Sequence, residues 1–413
     1  MSAAGVRVRL VAALSLAVIL SQFFRTSSGV IAPELTRDLA LTPEMLGFAN
    51  ACFFIALGVA QVPVGILIDR IGARTTYLWL TGVAVAGALL HAFVESGAGL
   101  AAARFLMGIG CGASFVGVII VSARWFPADR LATALSATFG LSQVGILLAA
   151  TPLAAASEAW GWRPVFVVSA VVTAACGFVY AAFVRDDPPG APPRAAHAPD
   201  DAPFAGLMRV FRIPDIGYVL AIHMFAYAST ATIIGLWAGP YLADVHGLSP
   251  VARGNVLLAM GFAQLAGQFA VGPMDRWLDT RKWIIVACAA FSIGVLAVLA
   301  LVPQPPLWVA VTLLVLLSLA GQYPVMIVAH ARSLFPSAIA GRGVTTVNLS
   351  QVIGASILPY ATGLVVGAAA DGATRYPEHA YRLAFATIAV PLALGLACYL
   401  RARDAKPSQG MAR

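Results

Sequence analysis

The chain is a succession of long apolar runs separated by short polar interruptions. A membrane-spanning helix needs about 20 mostly apolar residues, and twelve stretches meet that requirement. The predicted spans are residues 8–33, 44–68, 74–95, 98–123, 129–154, 163–184, 214–240, 250–274, 282–302, 306–332, 338–367 and 381–402. The pattern therefore predicts an all-α membrane protein that crosses the bilayer twelve times.

The interruption between the sixth and seventh predicted spans is longer than the others and different in composition. It is rich in Pro, Ala and charged residues, which is typical of a flexible linker. It divides the chain into an N-terminal six-helix bundle (1–184), a cytoplasmic linker (185–212) and a C-terminal six-helix bundle (213–413).

The two predicted bundles share short sequences at a nearly constant offset of about 207 residues. The Leu-Thr-Pro of residues 41–43 returns as Leu-Ser-Pro at 248–250, and the Leu-Ser-Gln-Val of 141–144 returns at 349–352. A colinear series of such matches indicates an internal duplication. Parallel repeats of this kind build one class of secondary transporters, so we expect the bundles to be related by a pseudo-two-fold axis.

Composition and charge narrow the class of protein further. The chain is 60% hydrophobic and 11% charged, whereas soluble proteins are roughly 45–50% apolar and 25% charged. Its net charge of +8 comes from single arginines in short loops, which argues against a nucleic-acid surface. When a base near the end of a span is counted with the adjoining loop, 19 of the 26 Lys and Arg residues fall on the side of the termini and linker, five on the other side, and two, Arg25 and Arg104, deeper within spans.

The excess of basic residues in alternate loops sets the expected orientation. By the positive-inside rule, both termini and the linker lie in the cytoplasm. We therefore expect a multi-pass protein of the cell inner membrane. Its expected partners are the lipid bilayer and a small-molecule substrate, and we expect a monomer.

A cluster of glycine and charge follows the second predicted span. Gly65, Asp69, Arg70, Gly72 and Arg74 stand in the register of G-x-L-x-D-R-x-G-R-R/K. This cluster resembles the loop between the second and third helices of the major facilitator superfamily, with Ala where a base is usual at position 73. The run from Arg104 to Gly110 is similar to the R-x-x-x-G-x-G element of the same superfamily.

The resemblance covers essentially the whole chain and carries expectations of its own. It implies two six-helix bundles around a central cavity, transport by alternating access, and no enzymatic activity or cofactor. The G-P pair typical of antiporters in the fifth helix is absent, because Gly145 and Pro152 stand apart.

The charged cluster is also expected to act as a gate, by the same resemblance. Asp69 would lie against the N-terminus of the eleventh helix near residues 338–341, and Arg70 and Arg74 could pair with Asp129. A shortened copy of the motif occurs in the second half at Asp275 and Arg276.

Charged residues at membrane depth are costly and usually functional, and two arginines lie there. Arg25 and Arg104 are both expected in the extracytoplasmic third of the bilayer. A guanidinium binds a carboxylate bidentately, so these arginines are the candidate ligands of an anionic substrate. The equivalent positions in the second half are Thr232 and Thr312, so a substrate with one anionic end would suit the site. Alternatively, either arginine snorkels to the interface, with Glu34 as a partner.

Two further groups are candidates for contact with substrate. In the seventh predicted span, His223 and Tyr227 share a helix face with Thr230, and in the tenth, Tyr323 shares one with Met326 and His330. Asn348 lies in the eleventh. The same residues could instead serve helix packing, as buried amides and aromatic residues often do.

Ion coupling has few candidate residues. The predicted spans have no acid near the midplane, which leaves Glu34, His223 and His330 as proton carriers. No set of residues has the spacing of a metal site. Facilitated diffusion and exchange therefore stay open beside proton coupling.

The sequence favours a secondary active or facilitative transporter of a small organic anion or a carboxylate-bearing zwitterion. An exporter of hydrophobic drugs or metabolites by proton antiport is a second hypothesis, prompted by the aromatic and Met residues of the predicted cavity helices. A non-transporting receptor on the same scaffold is a third.

Overall fold

A computed structural model describes residues 3–188, 210–336, 340–370, 375–406 and 408, with the backbone alone at residues 3, 4, 128, 129, 132 and 340–342. This part of the chain is helical and contains no strand. Twelve helical stretches in it are long and apolar enough to cross a membrane: Gly5–Asp38, Pro43–Ile71, Ala73–Phe93, Gly97–Trp125, Thr133–Trp160, Trp162–Phe183, Ile216–Asp244, Pro250–Leu278, Lys282–Leu301, Leu307–Leu334, Gly343–Ala370 and Glu378–Tyr399. The prediction of an all-α protein with twelve spans is confirmed.

The first six spans comprise nine helices in the described residues, because the fourth and fifth spans are interrupted. They are α1 (Ala3–Asp38), α2 (Pro43–Ile71), α3 (Ala73–Phe93), α4 (Gly97–Gly110), α5 (Gly112–Trp125), α6 (Ala128–Ser142), α7 (Val144–Leu148), α8 (Thr151–Trp160) and α9 (Trp162–Phe183).

The last six spans comprise eight α-helices and one π-helical turn, Ile233–Trp237, in the seventh span. The α-helices are α10 (Ile216–Thr232), α11 (Ala238–Asp244), α12 (Pro250–Leu278), α13 (Lys282–Leu301), α14 (Leu307–Ala320), α15 (Pro324–Leu334), α16 (Ala340–Ala370) and α17 (Glu378–Tyr399). The tenth span, like the fourth, is divided in two.

The described chain forms two compact units. The first contains the residues up to Pro188 together with Leu248–Leu258, and the second contains the remainder. The first turns of α12 thus belong to the first unit, although they follow the linker in the sequence. Of the predicted linker (185–212), residues 189–209 lie outside the described part of the chain.

The connection between α2 and α3 depends on a glycine. Gly72 has φ +88° and ψ 158°, a backbone conformation that residues with a Cβ rarely adopt. Its N–H donates to the Ile68 carbonyl at 3.0 Å, and the Thr76 hydroxyl donates back to the Gly72 carbonyl at 2.8 Å. The glycine of the D-R-x-G motif is therefore required by this sharp turn between two spans.

One capping device occurs once in each unit. After α9, the Asp186 carboxylate accepts a hydrogen bond from the backbone N–H of Arg74 at the start of α3 (2.7 Å). After α17, the Asp404 carboxylate accepts one from the N–H of Lys282 at the start of α13 (2.9 Å). An acid near the N-terminus of a helix satisfies orphan donors and complements the helix dipole. Both caps join the last span of a unit to its third.

A close glycine contact is also repeated in the two units. In the first, a Cβ at Gly145 would collide with the carbonyl oxygen of Ile19 on α1. In the second, a Cβ at Gly354 would collide with the carbonyl oxygen of Met224 on α10. Both contacts bring two spans together at backbone distance, as small residues do in membrane helix pairs. These equivalent contacts are the structural counterpart of the repeated sequence.

Candidate functional site

Arg104 is a buried cation that joins three spans of the first unit. Its residue surface is 1% exposed, and its guanidinium donates to the backbone carbonyl of Phe24 (2.5 Å) and to the Asn50 side-chain oxygen (2.8 Å). Its Cζ lies 4.8 Å from the centroid of the Phe53 ring, a cation–π contact. These contacts hold α4 against α1 and α2, and they direct both terminal nitrogens of Arg104 to protein acceptors.

Arg25 lies on α1, directly after the residue whose carbonyl Arg104 holds. Unlike Arg104, it is half-buried. Because Arg104 fixes the Phe24 carbonyl, it also fixes the backbone from which the Arg25 side chain extends. The structure therefore separates the two arginines of the sequence prediction into a sequestered cation and a partly accessible one.

A pair of amides lies close to Arg25 along α1. Gln22 precedes Arg25 by three residues, so the two side chains project from one side of the helix. The Gln22 amide donates to the side-chain oxygen of Gln143, between α6 and α7, at 3.3 Å. Close approach of Gly145 to α1 makes this contact between the first and fifth spans possible. We call Gln22, Arg25 and Gln143 the polar group of the first unit.

Glu34 has a partner that sequence reasoning did not identify. Its carboxylate accepts a hydrogen bond from Arg253, in the first turn of α12, at 2.5 Å. The two side chains are 18% and 5% exposed, so this is a largely buried ion pair. Two residues further along α12, the Asn255 side-chain oxygen accepts a hydrogen bond from Thr151 at 2.9 Å. The sequence signal for Arg253 was a base three residues inside an apolar span that starts at Pro250.

The candidates on the seventh span are placed in the second unit. His223 is fully buried, and neither of its ring nitrogens has a hydrogen-bond partner among the described residues. Thr230 is 5% exposed and packs close to Gly321, at the break in the tenth span. Tyr227, on the same helix face, is half-buried.

The candidates on the tenth and eleventh spans lie in the same unit. Tyr323, Met326 and His330 are all at most 2% exposed. The Nδ1 atom of His330 shares a hydrogen bond with the Tyr399 hydroxyl at 2.6 Å, which ties α15 to α17. Asn348 on α16 is half-buried. The contacts of His330 are those of a helix-bridging side chain.

The charged cluster after the second span lies at the turn between α2 and α3. Asp69 and Arg70 are exposed, and a Cβ at Gly65 would meet no described atom within 4 Å. Arg74 donates to the Ala181 carbonyl at 2.6 Å, so it packs on the sixth span. Asp69 was expected against the N-terminus of the eleventh helix near residues 338–341, and Arg70 and Arg74 were expected to pair with Asp129. Residues 338 and 339 and the side chains of residues 129, 340 and 341 lie outside the described part of the chain.

In the second copy of the motif, the acid pairs with a base only six residues further along the chain. The Asp275 carboxylate pairs with Arg281 at 3.3 Å, and Arg276 is exposed. Arg281 also donates through its backbone N–H to Asp404 (3.2 Å). The charges of this copy are thus joined to the helix cap that α13 receives from the end of the chain.

In the part of the chain that the structure describes, no three His, Cys, Asp or Glu side chains come together in a group that could hold a metal ion. The buried side chains of the described residues include two guanidinium groups, those of Arg104 and Arg253, which donate to Phe24, Asn50 and Glu34.

Fold and site define the class as a twelve-span membrane protein with repeated halves and cationic groups inside its spans. The family model described as the Major Facilitator Superfamily matches residues 14–326 and 219–410. The chain belongs to this superfamily, and it is a transport protein, not an enzyme.

Two relatives and one solved structure illustrate what the chain is similar to. A candidate tartrate transporter of Agrobacterium vitis is 25% identical over 70% of this chain and 75% of its own length. A candidate galactarate/D-glucarate transporter of Escherichia coli (strain K12) is 30% identical over 34% of this chain and 33% of its own. A bacterial homologue of the human lysosomal transporter Spinster matches with a TM-score of 0.79 and 17% identity over 95% of this chain and 96% of its own. That likeness shows the fold.

Proposed function

We propose that this protein carries a small organic anion across the cell inner membrane by alternating access, and that Arg25 binds the anionic group. The observation that carries the proposal is the half-buried guanidinium of Arg25, set in a membrane span beside a second cation, Arg104. The names of the relatives, which refer to tartrate and to galactarate or glucarate, support an anionic substrate.

The electrostatic argument depends on where the acids of the first unit lie. The described acids of α1 are Glu34, whose carboxylate is engaged by Arg253, and Asp38 at the end of the helix, which accepts hydrogen bonds from Arg37 and Trp162. Arg104 is held by a carbonyl and an amide, which are neutral acceptors. A low-dielectric interior favours charge compensation, so cations inside the first unit support an anionic substrate over a neutral or cationic one.

Within this proposal, Arg104 has a positioning role. Its two terminal nitrogens hold Phe24 and Asn50, so it sets the place of Arg25 and adds to the local positive potential. The contact of His223, Tyr227, Tyr323 and Asn348 with a substrate stays a prediction from the sequence. Both termini are proposed to lie in the cytoplasm, because 19 of the 26 basic residues fall in the loops on their side.

Uptake into proteoliposomes tests the proposal. Radiolabelled organic acids are offered to the wild-type protein and to the Arg25→Ala, Arg25→Lys and Arg25→Gln variants. We expect Arg25→Ala and Arg25→Gln to lose uptake by at least about a hundredfold, since a charge-assisted bidentate contact is removed. Arg25→Lys keeps the charge without the planar fork, so we expect it to retain part of the uptake with a raised KM.

The matched control is Arg124→Gln. Arg124 lies at the end of α5, pairs with Asp187 at 2.5 Å and is about one third exposed. Its substitution removes a cation that belongs to the same unit but not to the polar group. We expect this variant to transport like the wild type. Wild-type rates of anion uptake in Arg25→Ala would show that the proposed function is wrong.

A further inference from the structure

A groove of about 370 Å³ lies beside the first turns of α9. Its walls are the end of α3, which includes Phe93, and the face of α9 that carries Val167 and Val168. Arg163 is the polar residue of its lining. Because the sixth span begins at Trp162, Arg163 lies at a membrane boundary and the apolar walls continue into the span. This groove therefore combines a cation at the boundary with an apolar path into the bilayer.

A second groove, of about 300 Å³, runs between the first, fifth and sixth spans. Its fifth-span wall lies at the break between α7 and α8 and includes Pro152, which has no N–H to continue a helix across that break. The hydroxyl of Ser169 in its lining donates to the Val165 carbonyl at 2.8 Å, so the groove is suited to an apolar occupant. Its α1 wall consists of half-buried residues that share one helix face, namely Leu16, Ile19, Leu20 and Phe23.

The two grooves meet at Val168 of α9. This residue lines both of them and is 54% exposed, so it forms a ridge between two apolar channels. Val172, which also lines the second groove, follows Arg163 by nine residues, which is about 14 Å along a helix. The hydrocarbon region of a bilayer is about 30 Å thick, so this distance is close to the depth of one leaflet.

The Arg163 guanidinium is held in place and still reaches the surface. It donates to the Val94 carbonyl at 3.2 Å, and its Cζ lies 4.3 Å from the centroid of the Trp162 ring. The Asp38 carboxylate is 3.9 Å away, but it accepts shorter hydrogen bonds from Trp162 and Arg37, both of 2.9 Å. The Arg163 side chain is 42% exposed, so it can bind a further anion at the membrane boundary.

We propose that the two grooves hold one diacyl phospholipid, whose phosphodiester binds Arg163 and whose acyl chains lie on either side of Val168. A chain in the surrounding bilayer is already in an apolar medium. The bound position is therefore favoured by packing against the groove walls and by the charge-assisted bond to the phosphate. On α1, the groove residues lie on the face opposite to Arg25, so this lipid site is separate from the proposed substrate site and independent of the proposed function.

Native mass spectrometry of the full-length protein in detergent micelles measures the binding of dioleoyl phosphatidylglycerol. We expect a first lipid to bind at least about tenfold more tightly than those that follow. Ala156→Trp fills the second groove, which Ala156 lines, and Arg163→Gln removes the cation. We expect each to raise the Kd of the first lipid at least about tenfold, because the packing or the phosphate contact is lost. Wild-type protein that binds all its lipids with equal affinity would overturn the proposal.

Two substitutions elsewhere serve as matched controls. Arg382 donates to the Ala300 carbonyl at 2.7 Å, much as Arg163 donates to a carbonyl at the end of α3, but it does not line either groove. Ala290 is an exposed residue of α13, so Ala290→Trp adds an indole to a span outside the grooves. We expect Arg382→Gln and Ala290→Trp to bind the first lipid with wild-type affinity. If both groove variants do so as well, the proposal is wrong.

Two lipid analogues test the head and the chains on the wild-type protein alone. Dioleoylglycerol keeps both chains and lacks the phosphate, whereas oleoyl lysophosphatidylglycerol keeps the phosphate and one chain. We expect each to displace bound phosphatidylglycerol only at a concentration at least about tenfold higher than unlabelled phosphatidylglycerol needs. Equal displacement by dioleoylglycerol would show that Arg163 does not bind the phosphate, and equal displacement by the lysolipid would show that the second chain is not held. Either result overturns the proposal.

Discussion

At the scale of single residues, the central contact is the one between Arg104 and two neutral acceptors. Arg104→Met removes the N–H groups that donate to the Phe24 carbonyl and to the Asn50 side-chain oxygen, and it leaves the Asn50 oxygen buried. Hydrogen bonds to a charged group contribute about 1.5–3 kcal/mol each, so we expect the free energy of unfolding to fall by about 3–6 kcal/mol when both are lost. Chemical unfolding in detergent micelles, followed by tryptophan fluorescence, measures this change.

Asn50→Asp distinguishes the charge of Arg104 from its hydrogen bonds. The substitution keeps an acceptor at 2.8 Å from the guanidinium and adds a carboxylate that neutralises it. We expect the protein to fold and uptake of anions to fall by about tenfold or more, because the positive potential near Arg25 is reduced. Undiminished anion uptake in this variant would show that Arg104 contributes no field to the substrate.

The candidate residues that the sequence could single out are those whose signal is local. Arg25 and Arg104 were found because a charge inside an apolar run is conspicuous at its own position. The ion pair of Glu34 with Arg253 was missed, since its members are 219 residues apart in sequence. Gln22 was missed as well, because one amide among many carries little signal until its contact with Gln143 is seen.

At the scale of elements, Gly145 tests how closely the first and fifth spans must approach. In Gly145→Ala, the new Cβ would collide with the Ile19 carbonyl, so α7 must move away from α1. We expect unfolding to become easier by about 1–3 kcal/mol and the contact between Gln22 and Gln143 to loosen. Uptake and unfolding of this variant are compared with those of the wild type.

Gly140 on the same span is the control. A Cβ there meets no described atom within 4 Å, and alanine favours a helix interior by up to about 1 kcal/mol over glycine. We expect Gly140→Ala to be neutral or slightly stabilising, with normal uptake. Equal effects of the two substitutions would refute the close-contact argument.

The cap that Asp404 places on α13 gives a prediction for pH. Burial alone would raise the pKa of Asp404, but hydrogen bonds from Thr280, Lys282 and Arg281 outweigh it and hold the pKa below 3.8. Because the folded pKa is lower than the unfolded one, the stabilisation is present above about pH 3.8 and is lost as the pH falls through the folded value.

We therefore expect Asp404→Asn to be less stable than the wild type at pH 6, by about 1 kcal/mol, and the difference to shrink as the pH drops below 3.8. Thermal unfolding in detergent between pH 3 and pH 6 measures it. Glu158→Gln, which changes an exposed acid of α8, should show no such pH dependence. A difference in stability between wild type and Asp404→Asn that stays constant with pH would show that the ionised carboxylate of Asp404 does not stabilise the cap.

Hydropathy predicted the elements well because each span must satisfy its backbone internally in a bilayer. The largest discrepancy is the end of the fifth span, expected at 154 and observed at Trp160. The breaks at Cys111 and at Gly321 were not predicted, since a turn of one to three residues leaves the apolar pattern unchanged. The helix caps at Asp186 and Asp404 were not predicted because each joins spans that are distant in sequence.

At the scale of the whole molecule, α12 is the helix whose two ends belong to different units. Its residues up to Leu258 belong to the first unit and its later residues to the second. Alternating access requires conformations in which a substrate site opens to each side in turn. Conformations in which the first turns of α12 leave the first unit must break the pair of Glu34 with Arg253 and the bond of Thr151 with Asn255.

Glu34→Gln should therefore shift the conformational equilibrium of the transporter. The substitution leaves Arg253 with a neutral partner, and breaking a buried pair in this way costs about 3–5 kcal/mol in the conformations that contain it. The free energy of conformations without the pair does not change, so their population rises. A cysteine at position 255, in a background without the five native cysteines, reports this opening through its reaction with a membrane-impermeant maleimide.

We expect the labelling rate of the cysteine at 255 to rise at least about tenfold when Glu34→Gln is added, which corresponds to about 1.4 kcal/mol of the lost interaction. Arg253→Gln should act in the same direction, and the charge-exchanged protein with Glu34→Arg and Arg253→Glu should return toward the original rate, because the pair is rebuilt. Glu158→Gln on nearby α8 should leave the rate unchanged. If both single substitutions label at the wild-type rate, the pair does not hold α12 in place, and some other contact of residues 248–258 must govern the opening.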